Sequence, residues 1–461
     1  MCISAVVRSD NKTHNSSMEI KIKKGCDLPV AGGVGEAALT APHAVAGKVV
    51  AIVPDDFEGC VWKVDVHPGD SVATGDPLMH SKENENVKIV SPVAGQVGEV
   101  VRGERRHVLR VTVIADGSGR QRTFDTAGGD ASGLLARSGL LAMMRQRPYS
   151  TVPMPDAAPR DIFVTAFDSA PLAAPLRWTQ ADKAVFDAAV AFLAPLTKGK
   201  IYVSRRNSDN IPDIAGAVMV DVCGPHPAGL AGTVIDAVRP VNKGEVVWTL
   251  NADTLFKIGQ LATGGTVDWR NRVAVTGSCL EKPYVALATP GTEIQALTAP
   301  AGLTPEAAAS HVRYISGNIL SGINAGKDGF LHYPYTQVTV IPEGDDTDEF
   351  MGWASLSPRL LSLSPSYPGH WLKRLFKPDA RVRGGRRGMI MSGIYENLIP
   401  LDILPEYLIK AINSQNIDEM ERLGIYEVAP EDFALAEFAD TSKLPLQQIV
   451  RDGLDLMRRE G

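Results

Sequence analysis

The sequence predicts a protein of several domains that combines all-β modules with a parallel α/β domain and a helical C-terminal domain. The chain has 461 residues, whereas single hydrophobic cores stop growing near about 250 to 300 residues. Short alternating apolar segments dominate the first quarter of the chain, strand and helix patterns alternate after it, and helical spacing prevails near the end. The content of 44% hydrophobic and 22% charged residues is typical of a globular protein.

Charge and hydropathy exclude two classes of protein. The net charge of -6 argues against a nucleic-acid-binding protein, which would carry a basic domain or stripe. The local exception is R-V-R-G-G-R-R at residues 381–387, which is either a solvated loop or a contact for a phosphate or an anionic surface. No apolar run approaches the ~18 residues that cross a bilayer, so we expect no membrane span.

The N-terminal residues and the cysteines carry little information about a site. Residues 1–17 are polar after a brief apolar start and lack the apolar core of a signal peptide, so we predict a flexible tail, with Met18 as an alternative start of the folded part. The five cysteines lie far apart, without a C-x-x-C pair, which favours reduced thiols and no metal site.

Residues 18–115 are predicted to form an all-β domain. Two motifs stand out, V-H-P-G-D-S-V-A-T-G-D-P-L at residues 66–78 and S-P-V-A-G-Q-V at residues 91–97. Their glycines supply turn geometries, and their apolar residues can point inward. In this order the two motifs resemble the biotinyl/lipoyl carrier fold, a barrel-sandwich of two small sheets.

The carrier function does not follow from that resemblance. In the carrier family the modified lysine lies at the tip of the hairpin between the two motifs, which here is Asn84. An amide bond to biotin or lipoate needs a primary amine, and the flanking Lys82 and Lys88 are displaced along the hairpin. We therefore interpret this domain as an inactive relative of the carriers.

Residues 116–271 are predicted to form a Rossmann-like α/β domain. The segments 161–168 and 199–204 read as buried strands, with helical spacing between them. The only G-x-G-x-x-[GA] match, at residues 33–38, lies in the β domain and not between a strand and a helix, so we expect no dinucleotide site.

A glycine-rich loop in the α/β domain, G-P-H-P-A-G-L-A-G-T at residues 224–233, is the candidate functional element. Glycine permits close approach of a partner backbone, and the loop has no lysine to hold a phosphate. We interpret it as a rigid surface loop for docking. The candidate docking residues are Gly224, Pro225, His226, Pro227, Gly229 and Gly232.

Residues 272–342 are similar to a β-grasp domain of the soluble-ligand-binding type, seen in the flavin subunit of respiratory complex I. The acidic run E-G-D-D-T-D-E at residues 343–349 is expected to mark its end, and helical patterning is predicted from about Phe350.

Residues 343–461 resemble a ferredoxin module whose cluster ligands are absent. The spacing C-x2-C-x2-C-x3-C-P of a two-cluster ferredoxin can be placed twice on this region. The eight positions that would hold cysteine are occupied by Met389, Ser392, Tyr395, Ile399, Pro430, Phe433, Ala436 and Asp440. Since a cluster cannot assemble without thiolates, we expect no iron–sulfur centre.

This order of domains resembles one family, the A subunits of the sodium-translocating NADH:quinone oxidoreductases. The segments I-K-I-K-K-G-C-D-L-P at residues 20–29, the loop at 224–233 and S-Y-P-G-H-W at 366–371 also carry the resemblance. It implies a peripheral subunit on the cytoplasmic face of the bacterial inner membrane, docked chiefly on integral membrane subunits. The complex would pass electrons from NADH to ubiquinone and pump Na⁺ outward. FAD, FMN, riboflavin and an iron–sulfur centre are expected in partner subunits and none in this chain.

Three alternatives belong to other classes. An electron-carrying Rnf-type subunit would have the same architecture, but here it would have lost its clusters. A biotin or lipoate carrier would need modification at Lys82 or Lys88. A free-standing enzyme would need a nucleophile, a base and an orienting partner, and no such set is evident. We therefore assign no catalytic, cofactor-binding or metal-binding residue, and expect His43 and His67 to be surface residues.

Overall fold

The computed structural model describes residues 5–10, 17–175, 177–206, 211–345 and 357–460, with only the course of the backbone for residues 5–10. These residues form four β-sheets and a C-terminal set of helices. Within the described ranges the longest helix has 15 residues, and none has the length and apolar character needed to cross a bilayer.

Two small sheets form the barrel-sandwich module. Its strands are β4 (Val49–Ile52), β5 (Trp62–Val64), β6 (Ser71–Val72), β7 (Pro77–Ser81), β8 (Lys88–Val90), β9 (Gly95–Arg102) and β10 (Val108–Ala115). One sheet has the order β4-β10-β9-β6 and the other β5-β7-β8. Val72, Leu78 and Val97 of the two motifs are buried between them, as predicted from the alternating pattern.

A seven-stranded sheet with helices on both faces forms the α/β module. Its strands are β1 (Ala5–Asp10), β2 (Ser17–Ile22), β11 (Arg145–Arg147), β12 (Asp161–Thr165), β13 (Ile201–Arg205), β14 (Val218–Cys223) and β15 (Val247–Asn251). The order is β1-β2-β14-β13-β12-β15-β11, parallel except at the two edges. Its helices are α2 (Ala131–Arg137), α3 (Lys183–Leu193), α4 (Ala231–Val238) and α5 (Ala252–Gly264). One core contains α3 and α5, and another contains α4.

The N-terminal residues belong to other sheets than we predicted. We expected a flexible tail over residues 1–17, but β1 pairs with β2. We assigned residues from 18 onward to the β domain, but β2 pairs with β14 of the α/β sheet. An alternating pattern predicts a strand without naming its partner, because pairing depends on residues distant in sequence.

A six-stranded mixed sheet covers the segment where we predicted a β-grasp domain. Its strands are β3 (His43–Ala44), β16 (Asn271–Thr276), β17 (Tyr284–Ala288), β18 (Val312–Ser316), β19 (Ile323–Asn324) and β20 (Gln337–Pro342). The order is β19-β18-β20-β16-β17-β3, with β16 and β20 parallel at the centre. Three short helices accompany it, α1 (Glu36–Leu39), α6 (Ile294–Thr298) and α7 (Pro305–Ala308).

The C-terminal region is helical. Its described α-helices are α8 (Pro368–Trp371), α9 (Ile394–Leu398), α10 (Pro405–Asn413), α11 (Ile417–Arg422), α12 (Ala434–Ala439) and α13 (Leu446–Glu460). The expected start near Phe350 and most of the acidic run lie outside the described residues. Between residues 357 and 393 the four-residue α8 is the one α-helix, because prolines and glycines interrupt this stretch.

A single carboxylate joins the barrel, the α/β module and the mixed sheet. The side chain of Asp56, which follows β4, lies 2.8 Å from Nδ1 of His332 and accepts a hydrogen bond of 2.9 Å from the backbone N–H of Tyr333. The guanidinium of Arg145 donates to the backbone carbonyl of Asp56 at 2.6 Å. Burial disfavours the charged imidazole, but the hydrogen bond and charge of Asp56 outweigh burial and raise the pKa of His332.

Asp56→Asn should lower the free energy of unfolding by about 2 kcal/mol, because it removes a charge-assisted hydrogen bond and leaves a buried donor unpaired. Urea unfolding followed by tryptophan fluorescence measures this. The matched control is Asp55→Asn, since the Asp55 side chain is 61% exposed in its contact with His107 and should contribute less than about 1 kcal/mol. Equal losses in both variants would contradict the role of Asp56.

Acidic side chains meet where the helical region packs on α4. The backbone N–H of Asp402 donates to Asp236 of α4 at 3.0 Å. Burial, together with the charges of Asp236 and Asp402, raises the pKa of the nearby Glu427 to about 7. The carboxyl group of Glu427 therefore favours the folded state when it is protonated.

Glu427→Gln should stabilise the chain more at pH 8 than at pH 5. The pKa of Glu427 is about 7 in the folded state and about 4.3 in the unfolded chain. The contribution of the Glu427 carboxyl to the free energy of unfolding is thus fully present below about pH 4.3. It is lost as the pH rises through about 7. Thermal midpoints of both proteins at the two pH values measure the difference, with exposed Asp418→Asn as control. A stabilisation independent of pH would disprove the assignment.

Candidate functional site

The hairpin turn between β7 and β8 has Asn84 near its centre and the exposed Lys82 at its start. Asn84 lies in this turn, where its side chain accepts a hydrogen bond of 3.0 Å from the backbone N–H of Asn86. Lys88 lies in β8, with its Nζ 3.7 Å from Asp65. Arg458 of α13 lies 3.9 Å from Glu83 at the same end of the barrel. The turn therefore presents an amide at its centre and lies beside a helix of the C-terminal region.

The glycine match at residues 33–38 has the wrong surroundings for a dinucleotide. It lies between β2 and β3 and opens α1, which has four residues. In a dinucleotide-binding fold the motif joins a strand of the sheet to a long helix whose N-terminus meets the pyrophosphate. Residues 33–38 therefore match the glycine spacing of the dinucleotide-binding motif but not its structural context.

The predicted docking loop is mostly inside the molecule, and the prediction of a surface loop was wrong. His226 is 3% exposed, and Pro227, Gly229 and Gly232 are also buried. The carbonyl of His226 accepts from Cys26, and its N–H donates to Asp27, both at 2.8 Å. A composition rich in glycine and proline indicated a loop correctly, but it did not show that the N-terminal segment covers that loop.

Two glycines of this loop lie where a side chain would meet neighbouring atoms. A Cβ on Gly224, which has a φ of +139°, would lie 2.5 Å from the carbonyl oxygen of Ile22. A Cβ on Gly232 would lie 2.5 Å from a carboxylate oxygen of Asp432 in the helical region. The loop thus holds together the N-terminal segment, the α/β sheet and the helical region.

His226 is a structural histidine. Its Nδ1 lies 3.0 Å from the hydroxyl of Ser169, which accepts a hydrogen bond from the backbone N–H of Gly229. Burial lowers the pKa of His226 to about 4, although the charge of Asp27 opposes this. The imidazole is therefore neutral near pH 7 and well suited to a buried position. His43 and His67 are exposed, as predicted.

An apolar crevice opens beside the Asp56 junction, and sequence reasoning missed it. Its volume is about 40 Å³. Phe57 and Tyr333 stack in its wall with ring centroids 5.1 Å apart, and the Tyr333 hydroxyl donates to the carbonyl of Met143. Trp269 and Leu331 also line it. No sequence signal could identify this crevice, because its walls come from three modules.

A wider groove lies between β18 and the helical region. Within the described residues it is bordered by β18, by residues 359–387 and by α12, and its volume is about 890 Å³. Basic side chains line it, among them Arg313, Arg359, Lys377, Arg383, Arg386, Arg387 and Lys443. The groove therefore has a positive character unlike the rest of this acidic chain.

Five of the eight positions of the ferredoxin spacing meet at one hydrophobic core. Tyr395, Ile399, Phe433 and Ala436 are buried in the same cluster, and Met389 packs against it. The cluster also includes Leu408 of α10 and Leu454 of α13. At these positions the side chains fill the space between the helices, whereas Ser392 is exposed.

The described residues offer no set of metal ligands. Groups of three or more His, Cys, Asp or Glu side chains in a binding arrangement are absent from the described ranges. Cys26, Cys60 and Cys279 are free thiols. Burial raises the pKa values of Cys60 and Cys279 to about 11, which disfavours the thiolate needed for binding a metal.

Comparisons with known proteins agree with this architecture. Residues 20–116 match the family described as "NqrA N-terminal barrel-sandwich hybrid domain", and residues 130–267 match "NqrA second alpha/beta domain". Three relatives are named as the A subunits of Na(+)-translocating NADH-quinone reductases. The protein from Serratia proteamaculans is 36% identical, that from Neisseria meningitidis serogroup B 33% and that from Shewanella frigidimarina 36%. Each alignment covers 96% of this chain and 100% of the relative. The chain therefore belongs to the NqrA family, the A subunits of Na⁺-translocating NADH-quinone reductases, and is a component of an oxidoreductase complex.

Proposed function

We propose that this chain is a peripheral subunit without a redox centre of its own, docked on integral membrane subunits at the cytoplasmic face of the bacterial inner membrane. The complex passes electrons from NADH to ubiquinone and couples this to outward Na⁺ transport. FAD, FMN, riboflavin and the iron–sulfur centre belong to partner subunits. The names of the relatives support the reaction, and the isolated chain has no catalytic activity of its own.

The hydrophobic filling of the ferredoxin-like positions carries the proposal. A cluster needs four thiolates around an open space, whereas Tyr395, Ile399, Phe433 and Ala436 occupy the interior of this region. The helical region is stabilised by apolar contacts instead. Its remaining role is that of a scaffold that other subunits contact.

The mixed sheet supports assignment of the third module as a β-grasp. Its four main strands have the order β17-β16-β20-β18, with parallel central strands and antiparallel neighbours. Two short helices, α6 and α7, connect β17 to β18. This arrangement of two hairpins around a helical connection is the one expected of a β-grasp.

The proposal includes docking and quinone access. Of the candidate docking residues, Gly224 and Pro225 are half-buried and thus accessible to a partner. The chemistry of the apolar crevice beside Tyr333 supports a contribution to quinone access, because quinone sites combine apolar walls with a few polar groups. At about 40 Å³ the crevice would have to widen to admit a quinone ring. Asp56 supplies a polar group at this wall.

The purified chain should be colourless. Its absorbance spectrum between 300 and 700 nm should lack flavin and iron–sulfur bands, since the thiolates that would hold a cluster are absent from the ligand positions. Measurements of iron and of released flavin complete the test. Either cofactor at one per chain would contradict the proposal.

High salt or a chaotrope should release the chain from native membranes. A peripheral subunit is held by contacts that these agents weaken, whereas a membrane-spanning subunit stays with the lipid. Immunoblots of washed membranes measure the release, and the retained control is a membrane subunit that carries flavin. Retention of this chain through the wash would count against peripheral docking, as would failure to co-purify with that subunit from unwashed membranes.

A further inference from the structure

Residues 371–391 form a surface that is both basic and apolar, which we call the basic apolar segment. It contains seven lysine and arginine residues and one acidic residue, so its net charge is +6 in a chain of net charge -6. Six large hydrophobic side chains in it are exposed. These are Trp371, Leu372, Leu375, Val382, Ile390 and Met391.

The backbone of this segment is held in place, so the exposure of its side chains follows from the fold. Phe376 is 2% exposed, and its backbone exchanges hydrogen bonds of 2.7 and 2.8 Å with Pro29 and Ala31. Further along, the N–H of Ala380 donates to Pro342 at 3.0 Å, and the N–H of Arg387 donates to Ser442 at 3.0 Å. These contacts anchor the backbone of the segment at three places, while its large apolar side chains other than Phe376 stay exposed or half-buried.

The outward side chains are large and fully available to a partner. Trp371 is 69% exposed, Leu375 is 66% exposed and Val382 is 72% exposed. The lone acidic residue, Asp379, lies 2.6 Å from Arg381 and 2.8 Å from Arg383. The other basic residues therefore add to the positive charge of the surface, and exposed Lys373 and Arg386 are among them.

We propose that the basic apolar segment lies against the anionic headgroups of a lipid bilayer. Exposed Trp and Leu beside Lys and Arg are typical of segments at a membrane interface, where apolar side chains enter the boundary and cations meet lipid phosphates. A bilayer containing anionic lipid supplies dense negative charge beside an apolar layer, and thus complements both features of the segment. This inference rests on the proposed membrane docking and names the surface and the lipid class involved.

The test is co-sedimentation of the purified full chain with vesicles at low salt. Vesicles with about one third phosphatidylglycerol should bind it, and vesicles of phosphatidylcholine alone should not. Since each basic residue strengthens binding about fivefold near an anionic surface, the variant Lys373→Gln/Arg386→Gln/Arg387→Gln should bind about 100-fold more weakly. Trp371→Ala should weaken binding several-fold in the same assay, with circular dichroism to check folding.

A matched control removes three exposed positive charges from the barrel instead. Lys48→Gln/Arg105→Gln/Arg106→Gln should bind phosphatidylglycerol vesicles within about twofold of the unmodified chain, although its net charge changes equally. Equal losses in the two triple variants would show nonspecific attraction and overturn the proposal. If the unmodified chain binds neither kind of vesicle yet co-purifies with the membrane subunits, the segment contacts protein, and the lipid proposal fails while the proposed function stands.

Discussion

The carboxylate of Asp56 is the constraint on which the arrangement of the modules depends. It belongs to the barrel, yet its partners His332 and Tyr333 come from the segment before β20, 276 and 277 residues away. Arg145 of the α/β sheet also contacts this junction. Its guanidinium carbon lies 5.0 Å from the centroid of the Tyr333 ring. A buried carboxylate must be satisfied where it lies, so the three modules have little freedom to move apart. The apolar crevice is lined by residues of these same modules, among them Phe57, Met143 and Tyr333.

The N-terminal segment gives the fold a second long-range tie, and it shows where sequence reasoning stops. Alternation of apolar residues predicted strands and the burial of Val72, Leu78 and Val97, because side-chain direction in a strand is a local property. The same pattern could not show that β2 pairs with β14, nor that Gly25 approaches the carbonyl oxygen of His226, 2.1 Å from where a Cβ would stand. The loop at residues 224–233 was predicted to lie on the surface because it is rich in glycine and proline, which are common in surface loops. Its burial depends on a segment about 200 residues earlier.

The C-terminal region is stabilised by an apolar core that includes positions of the ferredoxin-like spacing. Fully burying one large apolar side chain stabilises a fold by about 1.5 to 3 kcal/mol, and Ile399 and Phe433, at two of these positions, are both buried. The apolar core therefore holds these helices together. The ferredoxin resemblance stays a prediction. Its spacing could not show that four of the eight positions would share one core, because that depends on how α9, α12 and α13 pack.

The uneven charge of the chain has a consequence for its orientation. Because the whole chain carries -6 and residues 371–391 carry +6, the rest of the chain carries -12. A negative surface would attract one side of such a molecule and repel the others, so the field orients the chain before any close contact forms. The attraction reaches about one Debye length, near 8 Å at physiological salt. Apolar side chains such as Trp371 and Leu375 contact the lipid only when the chain has approached more closely than this. Charge therefore selects which face approaches, and the exposed apolar side chains determine how firmly that face is held.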